Sequence, residues 1–263
     1  MSSSRAMQRL CGLMRKAVQD YEMIAPGDKV MVGVSGGKDS VALTIGLAEL
    51  RKYIGFDFTV QAVTLDPQFG GRPMDYTVLQ ELFAQYDIPY EIRRTEIGPV
   101  VFDYRKEKNP CALCAKLRRG ALHTAAQELG CNKIALGQHL DDIEISFLMS
   151  ICRGSGLSTM GPNVPAEEHA LRVIRPLAYT PESLIIQMAS EMELPRRGEC
   201  IYREQLESSG DRAYFRSILE KISEKIPDLR SNLLRSLSNI QEEYLLDRRF
   251  IHAANKENPN ETD

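Results

Sequence analysis

No stretch of this chain reaches the roughly 18 consecutive apolar residues that a membrane-spanning helix needs, so no membrane span is expected. Neither sign of charge dominates. The 33 basic and 36 acidic side chains leave a formal net charge of −3. That balance argues against a generic nucleic-acid binder but leaves room for a local basic face. The opening "MSSSRAMQRLCGLMRKAVQDY" carries charges throughout and lacks a continuous apolar segment. It reads as an amphipathic helix after a short loose end, not as an export signal. The six cysteines are therefore expected as thiols or ligands in a reducing cytoplasm. There are no internal repeats.

Two familiar nucleotide motifs are also missing. A Walker loop needs Gly, four residues, then Gly-Lys and a hydroxyl. Reading back from Gly37-Lys38, Val32 holds the first glycine position and Asp39 stands where the hydroxyl belongs. Gly33, Gly36 and Gly37 do not fit the dinucleotide spacing G-x-G-x-x-G. What is present is Ser35-Gly36-Gly37-Lys38-Asp39-Ser40, directly after the apolar "KVMVGV". Adjacent glycines let a tight turn present bare N–H groups, and a helix beginning at once adds its positive dipole end. That geometry suits a pyrophosphate. An ordinary glycine-rich strand-to-helix turn has the same local pattern.

With 263 residues, 43% of them hydrophobic, the chain can bury a core as one or two domains. From Lys29 strand and helix patterns alternate. Strands are expected at "KVMVGV", "FTVQAVTLD", "PYEIRRTEI", "NKIALGQ" and "LRVIRPL". Helices are expected between and after them, at "SVALTIGLAELRKYI", "MDYTVLQELFAQYDI", "CALCAKLRRGALHTAAQELG", "DDIEISFLMSICRG" and "PESLIIQMASEME". The alternation predicts an α/β fold, a parallel five-stranded sheet flanked by helices with right-handed crossovers. Ligands of such sheets bind beyond the carboxyl ends of the strands, where Gly33 to Ser40, Asp66 and "GQHLDD" all fall. From about Glu199 the pattern is purely helical, with "DRAYFRSILEKISEKI" and "LRSNLLRSLSNIQEEYLLDRRFI". The expected organisation is an N-terminal helix over 1–25, an α/β domain with the glycine-rich loop over 26–198, a C-terminal helical region over 199–252 and a disordered polar tail over 253–263.

Cys111 and Cys114 form a C-x-x-C, with Pro110 placed to open a helix whose start lowers thiol pKa. Cys200 follows after a long gap. Zinc would require a fourth donor that is not apparent near Cys200. A dithiol redox pair, an iron–sulfur cluster held on three irons, and two merely packed thiols all fit the spacing. Cys11, Cys131 and Cys152 read as small buried apolar residues. Between Arg105 and Arg119 six basic residues face one acid, and Arg196 and Arg197 precede Cys200. Both cysteine segments thus have basic neighbours, consistent with a phosphate backbone crossing the site and equally with a solvated helix face. In "GQHLDD", Gly137 to Asp142, the paired carboxylates Asp141 and Asp142 suit a helix start. Opposite a pyrophosphate loop they also suit Mg²⁺, and His139 is placed either to touch phosphate or to fill a polar corner.

"SGGKDS" after a strand is the signature of the PP-loop, or N-type, ATP pyrophosphatases. Together with "VTLDP", "CALCAKLRRGAL", "KIALGQHLDD", "VIRPLAY" and "PDLRSNLLRSLSNI" it resembles the tRNA 2-thiocytidine synthetase branch, over roughly Gly27 to Ile240. The resemblance implies ATP and Mg²⁺ at Ser35, Gly36, Gly37, Lys38, Asp39 and Ser40, with Asp66, Gly137, His139, Asp141 and Asp142 around the nucleotide. It implies a [4Fe–4S] cluster on Cys111, Cys114 and Cys200, and catalysis by Lys38, Asp39 and those three cysteines. The substrate implied is an anticodon-loop cytidine of tRNA, with sulfur supplied by a donor such as a cysteine desulfurase. A homodimer is a further expectation, from the amphipathic first helix and the relatives. The family often carries a second C-x-x-C around the third ligand, followed by Gly-Ser-Gln; here "RRGECIYREQ" puts Arg203 in the second position. Alternatives are a thiolase using a cysteine persulfide without a cluster, an adenylating ligase for another substrate, and a non-catalytic nucleotide- or RNA-binding module with structural zinc.

Overall fold

The computed structural model of the chain describes residues 4–105, 110–166, 171–195 and 210–249. The chain divides into two units, Met1–Ala213 and Tyr214–Asp263. The first opens with helix α1 (Arg5–Asp20), where the Ser4 hydroxyl caps the amide of Met7. Then follow β1 (Lys29–Gly33), α2 (Lys38–Leu50), β2 (Thr59–Asp66), α3 (Thr77–Ala84), β3 (Tyr90–Arg94) and α4 (Pro110–Glu128). β4 (Lys133–Ala135), α5 (Leu140–Cys152), β5 (Asn163–Pro165), β6 (Arg172–Ile174) and α6 (Glu182–Glu191) complete the alternation.

The sheet order is β3-β2-β1-β4-β6-β5. All pairs are parallel except β5–β6, which is antiparallel. The five expected strands are present. The sixth, β5, was not expected: "NVP" is too short for an alternation, and its pairing with β6 defines it.

Strand periodicity explains why both faces are covered. On β1, Val30 and Val32 join the cluster packed by α1, α2 and α6, while Met31 points to the other face, where Ala125 and Ala126 of α4 lie. On β2, Val60 and Ala62 take the first face, and Val63 and Leu65 the second. Helix α1 buries Met7, Leu10, Met14, Ala17 and Val18 along one stripe. Gly46 of α2 lets it approach closely, since a Cβ there would lie 2.6 Å from Met14 Sδ. The apolar stripe of α1 is thus covered within its own chain, and it gives no support to a homodimer.

The order reversal places the switch point between β1 and β4. Their carboxyl ends lead directly into the Ser35–Ser40 loop and the Gly137–Asp142 loop. Cys11 is buried and Cys131 half-buried, but Cys152 is exposed at the end of α5, not packed as the sequence suggested. In the second unit lie most of α7 (Asp211–Lys225) and all of α8 (Leu229–Ser238). The expected last helix is shorter than its apolar spacing implies: it stops at Ser238, where Asn239 leaves helical geometry at φ −136°. A 3₁₀ turn follows at Glu242–Tyr244. Residues 250–263, with the expected disordered tail, lie outside the described residues.

Candidate active site

The loop after β1 is shaped by its own small residues. Gly36 sits at φ +84°, a conformation costly for any residue with a Cβ. Ser40 staples the turn: its hydroxyl donates to Gly37 O at 3.0 Å and accepts the Ser35 amide at 3.1 Å. Helix α2 begins at Lys38 with Gly37 as its N-cap, so no side chain shields the first helical amides. An anion can take that place.

The second loop packs against this turn. A Cβ on Gly137 would lie 3.0 Å from Ser40 N and 3.1 Å from the Asp39 carbonyl carbon, both backbone atoms. Gly137→Ala is therefore expected to push the loops apart and weaken ATP binding by about tenfold or more, checked by calorimetric titration; the strain is comparable to other overpacking costs. His139 caps α5, and its amide donates to Asp142 Oδ2 at 3.3 Å. Asp141 reaches forward instead: its Oδ2 accepts the Glu182 amide at the start of α6, at 2.7 Å.

A cavity of about 680 Å³ opens over these loops, within the usual range for small-molecule sites. Ser35, Asp39, Ser40, Gly137, Gln138 and Asp142 line one side, with Gly33, Val63, Leu65 and Leu136 as an apolar floor. Helix α4 supplies Ala115, Arg118, Arg119 and Leu122, and Met160 and Arg212 complete the rim. Arg212 is paired with Asp142 at 2.8 Å. Among the described residues, Arg118 and Arg119 have no carboxylate partner within 4 Å. Guanidinium groups on a cavity wall favour an anionic occupant. Arg175 stands behind them, bonded to Gln138 Oε1 at 3.1 Å. Burial, then the nearby Arg119, lowers its pKa from the ordinary arginine value.

Lys38 does not line the cavity. Its ammonium is 2.8 Å from Glu182 Oε1 and 3.1 Å from Asp39 Oδ1. Burial would lower its pKa, but these carboxylates carry it above the usual lysine value. His139 is buried, with Nδ1 3.6 Å from Asp141 Oδ2 and Nε2 3.5 Å from Asp142 Oδ2. Burial opposes its charge; Asp141, Asp142 and Asp39 outweigh that and raise its pKa. One ligand atom each from Asp39, His139 and Glu182 lies within a 4.8 Å group able to surround a cation.

Of the site residues expected from the sequence, Ser35, Asp39, Ser40, Gly137 and Asp142 reach the cavity, and Gly36 and Gly37 shape its loop. Asp66 is buried at the end of β2. Its carboxylate accepts the amides of Gln68 and Met74 at 3.0 and 3.1 Å, so it organises the following loop. Cys111 and Cys114 are the second and fifth residues of α4. Ala115 follows Cys111 by four residues and Arg118 follows Cys114 by four, so the thiols continue the helix face that forms the cavity wall. Cys200, Arg196, Arg197 and Arg203 lie outside the described residues. Sequence reasoning had Arg118 and Arg119 only as part of a basic run. It missed Glu182, whose Pro-Glu context is that of any helix start.

Residues 8–220 match a family described as PP-loop domain. A tRNA-cytidine(32) 2-sulfurtransferase of Syntrophotalea carbinolica is 35% identical over 92% of this chain and 93% of its own length. One from Alkalilimnicola ehrlichii is 37% identical over 97% of this chain and 81% of its own. Among solved structures, U34-tRNA thiolase NcsA from Methanococcus maripaludis with its [4Fe-4S] cluster superimposes with a TM-score of 0.68, covering 94% of this chain and 80% of that one. At 22% identity it is a likeness of fold.

Proposed function

The chain belongs to the PP-loop domain family that includes the tRNA-cytidine 2-sulfurtransferases, and we propose that it is an ATP-dependent tRNA thiolase converting an anticodon-loop cytidine to 2-thiocytidine. One observation carries the reading. The helix that bears Cys111 and Cys114 also supplies Ala115, Arg118, Arg119 and Leu122 to the cavity beside the Ser35–Ser40 loop. A nucleotide on that loop and a base approaching the thiols would meet in one place.

The chemistry requires this meeting. C2 of cytosine lies between two nitrogens and is a poor electrophile, and its oxygen is a poor leaving group. Attack by that oxygen on the α-phosphorus of ATP forms an adenylate and breaks the bond to pyrophosphate. A sulfur nucleophile then adds at C2, and AMP leaves with the oxygen. Charge growing on the departing pyrophosphate is met by the amides opening α2, by Lys38 once it turns inward, and by Arg118 and Arg119. Asp39 and Asp142 reach the same cavity and would be the carboxylates that hold Mg²⁺ against the phosphates. Leu122, Leu136, Val63 and Leu65 give the base an apolar floor that excludes water. A loop nucleotide can reach such a cavity at less cost than a paired one, because its base leaves the stack more easily.

The donor set at the start of α4 fits a soft metal centre: two thiols three residues apart on one helix face. Cys111 and Cys114, with Cys200 as third ligand, would hold a [4Fe–4S] cluster, a group that would supply sulfur for the activated base. Cys111 and Cys114 are supported by their place on α4, and Cys200 by the family resemblance alone. Sulfur supply by a cysteine desulfurase belongs to the same proposal.

The protein purified without oxygen, given ATP, Mg²⁺, a sulfide source and unmodified tRNA, is expected to yield 2-thiocytidine with one AMP and one pyrophosphate per base. Nucleoside mass spectrometry and nucleotide chromatography check the stoichiometry. AMP formed equally without tRNA would point to an adenylating ligase for another substrate. Thiolation by an iron-free preparation given cysteine desulfurase, cysteine and a dithiol in place of sulfide would point to a persulfide route.

A further inference from the structure

We propose that Glu182 is a positioning residue for the nucleotide step, holding the Lys38 ammonium outside the cavity until a triphosphate displaces it. The inference rests on the ATP-dependent reading above and assigns a role to a residue outside the phosphate loop.

The ion pair between Lys38 and Glu182 is 2.8 Å long, with side chains 14% and 19% exposed. Asp39 and Ser40, the next two residues along, line the cavity, whereas Lys38 does not. Glu182 is held in place from its backbone. Its amide donates to Asp141 Oδ2 at 2.7 Å, and two residues earlier Thr180 O accepts the Leu140 amide at 3.1 Å. The starts of α5 and α6 are thus latched together by two bonds. Lysine is the mobile partner, a point charge on a flexible four-carbon stem. A fixed carboxylate and an incoming phosphate chain compete for one cation. Removing the carboxylate's hold should therefore favour the nucleotide, which is opposite in sign to what loss of a binding residue produces.

The test is calorimetric titration of the full chain with Mg²⁺ and α,β-methylene-ATP. Glu182→Gln is expected to bind about three- to tenfold tighter than wild type, the difference between a charge-assisted and a neutral hydrogen bond. Glu182→Asp keeps the charge but falls one methylene short. It is expected to move the same way by a smaller factor, and it serves equally if the glutamine variant does not fold. In a Lys38→Met background either change should alter affinity by less than about twofold, because the effect runs through the lysine. Weaker or unchanged binding in both Glu182 variants overturns the proposal. So does equal tightening by Glu182→Gln with and without Lys38, which would reflect removed repulsion alone. If the wild type fails to bind the analogue, the proposed function falls as well; binding without coupling to Lys38 overturns only the role of Glu182.

Discussion

Cys114→Ser is expected to abolish tRNA thiolation, by about 10³-fold or more, while ATP binds within about twofold of wild type. A serine hydroxyl is a hard donor that stays protonated at neutral pH. It can neither serve as a soft-metal ligand nor carry sulfur. Cys114 is the fifth residue of α4, just before the stretch from Ala115 to Leu122 that forms the cavity wall. Its loss should leave the nucleotide contacts intact. The half-exposed position means little core is disturbed, so the unfolding midpoint should move by less than a few degrees. Parallel assays of analogue binding and thionucleoside formation on one preparation check both halves. Equal loss of both activities would mean that the thiol acts through folding.

Lys38→Met is expected to lower the rate of tRNA-dependent pyrophosphate release by about 10²- to 10³-fold, the usual effect of removing one donor aimed at developing charge. The tRNA concentration for half-maximal rate should change little, because Arg118 and Arg119, the cavity-wall arginines, remain. The variant leaves Glu182 and Asp39 facing each other without their shared cation, a modest stability loss at partly exposed positions. Lys38→Arg should not restore the rate, since a planar guanidinium cannot follow the path of a compact ammonium. Single-turnover measurement of pyrophosphate separates the step from product release.

Much of this architecture was legible because alternating strands and helices leave a strong trace. Val30, Met31 and Val32 form a run buried on both faces, and such runs belong to central parallel strands. Asn163–Pro165 left no such trace, because an edge strand of three residues is defined by its partner. Leu229, Leu233, Leu234, Leu237 and Ile240 keep helical spacing past the point where the chain turns at Asn239, and spacing alone does not mark that stop. The phosphate loop could be read because two adjacent glycines and a helix start are local features. Asp141 and Asp66 could not be assigned so directly. A carboxylate at the mouth of a sheet looks the same in sequence whether it faces a cation or bonds an amide. Here Asp141 bonds the amide of a residue 41 positions away, and Asp66 bonds those of Gln68 and Met74. Glu182 gave no signal, because its partner Lys38 is 144 positions distant.

Nucleoside mass spectrometry of tRNA from cells lacking this protein tests the central claim most directly. 2-Thiocytidine should vanish, return when the wild-type chain is supplied, and stay absent with Cys114→Ser. An unchanged level of 2-thiocytidine in the depleted cells would contradict the account.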